Sequence, residues 1–119
     1  MSYWLGLDCG GTFIKAGLYD AQGRELAVAR QSLPVLVPEP GRAERDLHQL
    51  WKQAATVIRQ VLENSGLDAA QVAGVGISAQ GKGLFLLDKQ GEPLGNGILS
   101  SDRRALALVQ QWQRDGVPA

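Results

Sequence analysis

The sequence predicts an α/β fold, and three observations in chain order support this class. Short apolar runs separated by turn residues open the chain, an amphipathic segment follows, and a β-branched run comes after it. This order is typical of an antiparallel meander that continues into a β-α-β crossover. The length of 119 residues and the hydrophobic content of 45% indicate one domain with a substantial core.

Three strands are predicted in the first part of the chain, at residues 3–7, 13–19 and 25–31. The second and third are joined by residues 20–23, where an aspartate can cap the turn and a glycine can adopt a positive φ. The first strand ends just before Asp8, so we expect this carboxylate at the tip of the strand.

A helix of four to five turns is the most regular feature of the sequence. Three prolines within residues 33–40 precede it and predict a surface loop. We expect Asp46 to cap the helix, Gly66 to end it, and an ion pair within residues 44–46 at its entry. The helix is predicted from apolar side chains at spacings of three and four, namely Leu47, Leu50, Trp51, Ala54, Ile58, Val61 and Leu62.

The second half of the chain predicts a further strand, a polar loop and a last helix. Residues 72–77 are β-branched and contain two glycines, which favours a strand buried on both faces. Residues 78–83 form the loop, and short strands at 84–87 and 98–99 surround a second Asp-x-Gln-Gly turn. The last helix is expected to be capped by Ser101 or Asp102, with Leu106, Val109 and Trp112 on one face.

A candidate anion site follows the first strand. Gly10, Gly11 and Thr12 lack bulky side chains, so their backbone N–H groups can approach phosphate oxygens closely and form a nest. Asp8 could bind a hydrated Mg²⁺ beside that phosphate, and Lys15 could add a positive charge. A second interpretation is equally compatible with this stretch, namely a structural hairpin turned by glycines with a capping aspartate.

Composition excludes several classes of function. Twelve basic and twelve acidic side chains give no net charge, so neither a nucleic-acid footprint nor a basic membrane patch is expected. The single cysteine, Cys9, excludes an internal disulfide framework and fits a reducing compartment. No apolar run reaches membrane-spanning length and the first residues lack the features of a signal peptide, so a cytoplasmic protein is expected. The three tryptophans are expected in the core or at a domain contact.

Four segments in order resemble the N-terminal signatures of the FGGY carbohydrate kinases. They are DCGGT at 8–12 with Lys15, PGRAERD at 40–46, GISAQ at 76–80 and ILSSDRR at 98–104. The resemblance implies an actin-like or ribonuclease H-like ATPase fold, of which residues 1–119 form the β-β-β-α-β-β-α portion of the first domain. Within the family, residues 78–88 and 100–104 are most similar to bacterial L-xylulose kinases.

The resemblance also implies an activity and a set of ligands. FGGY kinases transfer phosphate from ATP, with Mg²⁺, to a hydroxyl of a ketose or polyol, so a small sugar is the implied partner. Asp8 matches the family's metal-associated aspartate, and Gly10, Gly11, Thr12 and Lys15 match its phosphate-binding segment. Gln80, Gly81 and Lys82 match its sugar-contacting loop, and Asp102 and Arg104 match a segment that borders the sugar pocket.

Two departures from the family pattern bear on these roles. Gly11 replaces a common threonine, which keeps the backbone donors, and Ser100 replaces a tryptophan beside the sugar pocket, which can change sugar choice. Without the resemblance, the sequence favours a helix cap for Asp102 and a solvated first-turn position for Arg104. For Lys82, an exposed loop lysine and a ligand-binding residue are equally compatible with the sequence.

Other functions remain open at this stage. The family's catalytic base and adenine pocket lie in segments that have no match here, so we expect the 119-residue chain to be an inactive N-terminal portion. The alternatives are a kinase for D-xylulose, ribulose or a keto-acid sugar, and a sugar-responsive regulatory module. A fragment with an uncovered sheet is also compatible with a homo-oligomer.

Overall fold

The computed structural model describes residues 1–118, which form a mixed sheet with one long helix on it. The strands are β1 (Tyr3–Cys9), β2 (Phe13–Tyr19), β3 (Glu25–Ser32), β4 (Glu44–Arg45), β5 (Val72–Ala79) and β6 (Gly97–Ile98). The helices are α1 (Leu47–Ser65) and α2 (Leu106–Arg114), and a 3₁₀ turn at Ala69–Gln71 leads into β5. The predicted α/β class is confirmed.

The main sheet has the strand order β3-β2-β1-β5. Its first three strands pair antiparallel, and β5 returns after α1 to pair with β1 in parallel. This is the predicted meander followed by a β-α-β crossover. A second sheet of two residues per strand joins β4 to β6.

The core lies between α1 and the sheet, as the helical period predicted. Asp46 caps the helix, since its Oδ1 accepts from the backbone N–H groups of His48 at 2.9 Å and Gln49 at 3.1 Å. Gly66 ends it in the left-handed conformation at φ 73°. The fully buried side chains on the two sides of this layer include Ile14, Leu18, Val57 and Val61.

The prediction that β5 is buried on both faces is wrong. Val75 and Ile77 are 57% and 69% exposed. The β-branched run correctly predicts a strand, but α1 packs over β2 and β3 and leaves the side chains of β5 uncovered. Burial of a sheet edge depends on the elements beside it, which a local pattern does not contain.

Three further predictions also need correction. Residues 84–87 form only isolated bridges, from Leu84 to Ile98 and from Leu87 to Pro93. α2 begins only at Leu106, so its N-cap is Ala105, which makes no side-chain capping bond, and Asp102 instead accepts from the N–H groups of Ala43 and Arg104. For the tryptophans, the core alternative is wrong, since Trp4, Trp51 and Trp112 are 50%, 78% and 48% exposed, and the domain-contact alternative stays a prediction.

The helices of residues 1–118 are too short or too polar to serve as membrane spans.

Candidate functional site

Asp8 and Lys15 face each other across β1 and β2, and Ser78 of β5 flanks Asp8 on its other side. All three side chains are exposed on the sheet face opposite to the core. They line one end of an open groove of about 510 Å³. The side chains that carry a carboxylate and an ammonium group therefore line the same groove, as the sequence predicts, although β1 continues to Cys9 and Asp8 lies within the strand.

The floor of this groove is glycine, and the ring of Tyr19 lies against part of it. Gly6, Gly17 and Gly76 line the groove beside Tyr19. A Cβ atom on Gly17 would lie 2.5 Å from the hydroxyl oxygen of Tyr19. The absence of side chains thus lets the ring lie on the sheet and leaves open space next to Asp8.

The turn at residues 10–12, named here the 10–12 turn, connects β1 to β2. Gly10 N–H donates to the carbonyl of Phe13 at 3.0 Å, and Thr12 carbonyl accepts from Leu33 N–H at 2.7 Å. Gly11 and Thr12 are exposed. Within residues 1–118 their two N–H groups donate no hydrogen bond to the protein, which is the free pair of donors that an anion site requires.

Arg45 supports this turn from behind, and the sequence interpretation missed it. The side chain is only 3% exposed, so the predicted ion pair at the helix entry does not involve it. Its Nη1 donates to Gly10 carbonyl at 3.2 Å, and its Nη2 donates to the carbonyls of Gly11 and, at 3.4 Å, Leu33. Burial lowers the pKa of this guanidinium from its ordinary value.

The only sequence signal for this role is the position of Arg45 directly before the helix cap. The chain is extended there, so consecutive side chains of Glu44 and Arg45 point to opposite sides. One of the two must then turn inward. Which carbonyls it meets depends on the loop that precedes β2, and the sequence does not show this contact.

The predicted sugar loop begins beside the 10–12 turn. Gln80 N–H donates to Cys9 carbonyl at 3.2 Å, which joins the end of β5 to the end of β1. Gly81 and Lys82 follow as exposed loop residues. Lys82 adopts a positive φ of 63°. The structure therefore brings Gln80 next to the predicted phosphate site, and within residues 1–118 the Lys82 side chain forms no hydrogen bond or salt bridge with it.

Asp102 and Arg104 form a salt-bridge network with the segment that carries Arg45. Arg104 Nη2 lies 2.8 Å from Asp102 Oδ2 and 2.5 Å from Glu44 Oε2. Asp102 Oδ2 also accepts from Ala43 N–H at 2.8 Å. Arg104 holds the pKa of Asp102 well below its usual value, and Asp102 and Glu44 raise the pKa of Arg104. These two residues thus bind protein groups and connect distant loops.

The metal assignment of Asp8 depends on a single carboxylate. Residues 1–118 contain no group of three or more His, Cys, Asp or Glu side chains suited to hold a metal ion. Mg²⁺ commonly keeps several waters and takes one or two carboxylates together with substrate phosphates. One exposed aspartate at the mouth of an anion site fits that mode of binding.

The chain matches known proteins over almost all of its length. It is 61% identical over 116 residues to the L-xylulose/3-keto-L-gulonate kinase of Escherichia coli (strain K12), covering 98% of this chain and 23% of the relative. It is 54% identical over 118 residues to a probable L-xylulose kinase of Pasteurella multocida (strain Pm70), covering 99% and 24%. The chain therefore spans about a quarter of the length of these relatives.

The fold and the family model agree with these matches. The crystal structure of ligand-bound xylulose kinase from Lactobacillus acidophilus superimposes with a TM-score of 0.89 at 27% identity, over 98% of this chain and 23% of that one. Residues 3–119 match the model of the FGGY family of carbohydrate kinases, N-terminal domain. The shared strand order, the glycine turn after β1 and this match lead to one conclusion, that the chain belongs to the FGGY family of carbohydrate kinases.

Proposed function

We propose that residues 1–119 are the N-terminal portion of the first domain of an ATP-dependent sugar kinase that converts L-xylulose to L-xylulose 5-phosphate. One observation carries the proposal: Asp8, Lys15 and the free N–H groups of Gly11 and Thr12 lie at the same end of the sheet. The names of the two similar kinases support L-xylulose as the sugar.

In this proposal the 10–12 turn binds phosphate oxygens of ATP. Gly10 provides the tight turn, and the N–H groups of Gly11 and Thr12 donate to the phosphate. Lys15 neutralises phosphate charge, and Asp8 binds Mg²⁺ through its carboxylate. Phosphoryl transfer depends mainly on positioning and on neutralising charge, so these groups supply the part of the chemistry that this chain can provide.

Gln80, Gly81 and Lys82 are proposed to orient the sugar hydroxyl towards that phosphate. Their loop is joined to the phosphate site by the bond from Gln80 N–H to Cys9 carbonyl. Asp102 and Arg104 are proposed to border the same pocket. Both are already bonded to each other, so they would shape the pocket chiefly by holding its loops in place.

A keto-acid sugar is the second candidate substrate. The similar kinase of Escherichia coli is named for 3-keto-L-gulonate as well as for L-xylulose. A sugar acid carries a carboxylate, and the exposed ammonium group of Lys82 is a suitable partner for it. Both sugars therefore belong in any test of this protein.

The 119-residue chain is proposed to be inactive alone. Its relatives are about four times longer, and in the family the catalytic base aspartate and the adenine pocket lie in later segments. We also propose that the protein works in the cytoplasm and that the isolated chain associates with itself through its uncovered apolar surface.

The proposal is tested by ADP formation with a panel of sugars. The full-length enzyme that contains this chain should phosphorylate L-xylulose, and Asp8→Asn should lower kcat by about a hundredfold or more. The exposed Asp115→Asn variant serves as the matched control and should behave as the unsubstituted enzyme. Turnover of D-xylulose but not of L-xylulose or 3-keto-L-gulonate would refute the assigned sugar, and turnover by the 119-residue chain would refute its inactivity.

A further inference from the structure

We propose that Arg45 is a positioning residue for phosphate binding, because its guanidinium orients the two peptide groups that present N–H donors at the 10–12 turn. The inference rests on the proposed function of that turn. It concerns a side chain that does not touch the phosphate and that lies behind the turn in the structure.

The geometry of the peptide bond carries the argument. A trans peptide is planar, and its C=O and N–H groups point in opposite directions. Arg45 binds the carbonyls of Gly10 and Gly11, which belong to the same peptide groups as the N–H of Gly11 and of Thr12. Holding the carbonyls inward therefore turns both of these N–H groups outward, towards the exposed side of the turn.

The guanidinium fork explains why an arginine occupies this position. Its Nη1 and Nη2 atoms each bind a different carbonyl, so two consecutive peptides are held by one rigid group. A lysine ammonium is a compact point charge on a flexible stem and has no such fork. The bond to Leu33 carbonyl at 3.4 Å further joins the turn to the end of β3.

The burial of Arg45 indicates that it is retained at an energetic cost. Its Nε is buried without a hydrogen-bond partner in the described part of the chain. No carboxylate between residues 1 and 118 forms a salt bridge with it. A buried cation without a counter-ion is costly, and its positive charge behind the turn favours an anion in front of it.

The test compares Arg45→Met and Arg45→Lys in the full-length enzyme, with Arg59→Met as control. Arg59 is exposed, and among residues 1–118 its side chain bonds only to Ala55 carbonyl in its own helix. Binding of magnesium pyrophosphate is measured by calorimetry, and KM and kcat are measured for ATP and for L-xylulose. We expect Arg45→Met to weaken pyrophosphate binding by about tenfold or more, Arg45→Lys to weaken it less, and Arg59→Met to leave it unchanged.

A comparison of the kinetics for ATP and for L-xylulose distinguishes a positioning role of Arg45 from a general structural role. Arg45→Met should lower kcat/KM for ATP while the KM for L-xylulose stays within about twofold, since the sugar loop keeps its own bonds. A folded Arg45→Met enzyme that binds pyrophosphate normally would overturn the inference. If Arg45→Met does not fold, Arg45→Lys is the test instead. Unchanged pyrophosphate affinity of the Arg45→Lys enzyme would also overturn the inference. The inference is also overturned if the unsubstituted enzyme turns over L-xylulose but does not bind pyrophosphate. If the unsubstituted enzyme neither turns over L-xylulose nor binds pyrophosphate, the proposed function is refuted as well.

Discussion

Lys82 combines a strained backbone conformation with an exposed ammonium group. It has a φ of 63° in a loop flanked by Gly81 and Gly83. A side chain other than glycine is strained in this region by roughly 1–2 kcal/mol. Glycine would be the unstrained choice there, so the presence of a lysine favours the proposed function for its ammonium group.

Replacing Lys82 by glycine should therefore separate stability from substrate use. We expect Lys82→Gly to leave the free energy of unfolding unchanged or raise it by up to about 1 kcal/mol, because relief of strain offsets the added chain entropy. Turnover of 3-keto-L-gulonate should fall by about tenfold more than turnover of L-xylulose, because only 3-keto-L-gulonate has a carboxylate that the Lys82 ammonium group can bind.

The matched control is Lys89→Gly, in an exposed turn where glycine brings no relief of strain. That variant should lose a few tenths of a kcal/mol, up to about 1 kcal/mol. Chemical denaturation and steady-state kinetics make both measurements. Equal losses of turnover for the two sugars in Lys82→Gly would argue against carboxylate recognition by Lys82.

At the scale of elements, two turns repeat one local design. Asp20 Oδ1 accepts from the N–H groups of Gln22 and Arg24, both at 2.9 Å. Asp88 Oδ1 accepts from Gln90 at 2.8 Å and from Glu92 at 2.9 Å. Each turn ends in a glycine with a φ near 80°, as the repeated Asp-x-Gln-Gly pattern predicts. Local side-chain hydrogen bonds of this kind do not depend on contacts with distant residues.

The largest predicted loss of stability concerns the contact of α1 with the sheet. Leu18 is fully buried in this layer, whereas Leu26 on the neighbouring strand is 44% exposed. Leu18→Ala should lower the free energy of unfolding by about 2–5 kcal/mol through lost burial and a cavity. Leu26→Ala should change it by less than about 0.5 kcal/mol. Urea denaturation followed by circular dichroism compares the two, and equal effects would contradict the assignment of the core.

The network that joins the loops around β4 and before α2 predicts a pH dependence. Arg104 lowers the pKa of Asp102 and of Glu44 in the folded protein. A carboxylate with a lowered folded pKa stabilises the protein above its unfolded pKa of about 4, and that contribution is lost as the pH falls below this value. The protein should therefore lose stability from about pH 4 downwards.

Asp102→Asn tests this sign directly. The variant should be less stable than the unsubstituted protein near pH 7, and the difference between them should narrow as the pH falls below about 4. Glu63→Gln, at an exposed site on α1, serves as the control and should keep the original pH profile. Thermal unfolding between pH 7 and pH 2 provides the measurement, and a constant difference across that range would contradict the prediction.

At the scale of the whole molecule, an apolar groove remains open between α1 and β5. It has a volume of about 400 Å³, and its apolar lining includes Trp51, Ala54, Ala55, Ile58, Val75 and Ile77. The groove lies beside the free hydrogen-bonding edge of β5, the last strand of the sheet. An exposed edge next to apolar side chains favours association.

The isolated 119-residue chain should therefore self-associate, and Val75→Thr with Ile77→Thr should shift it towards monomer. Threonine keeps the strand propensity while it lowers the apolar character of the groove. Val37→Thr, at a loop site that is 62% exposed, is the control. Light scattering over a range of concentrations makes the measurement. A clean monomer of the unsubstituted chain would refute the prediction.

The sequence predicts elements well where each depends on near neighbours. The meander, the crossover, α1 and the Asp46 cap all follow from patterns within a few residues. The candidate phosphate site belongs to this group, because Asp8, the 10–12 turn and Lys15 lie within one hairpin. Sequence patterns are less informative about β5 burial and the start of α2, which depend on distant partners.

By itself, then, the sequence determined the α/β class, the strands and helix of its first half, and the position of the glycine turn after β1. Only the tertiary structure decided what holds that turn in place. Arg45 binds Gly10 across 35 positions, and Arg104 binds Glu44 across 60. Such contacts form when the segment between β3 and α1 folds against the 10–12 turn and against the residues before α2. Their geometry depends on the packing of the whole chain, which no local period of hydrophobic residues encodes.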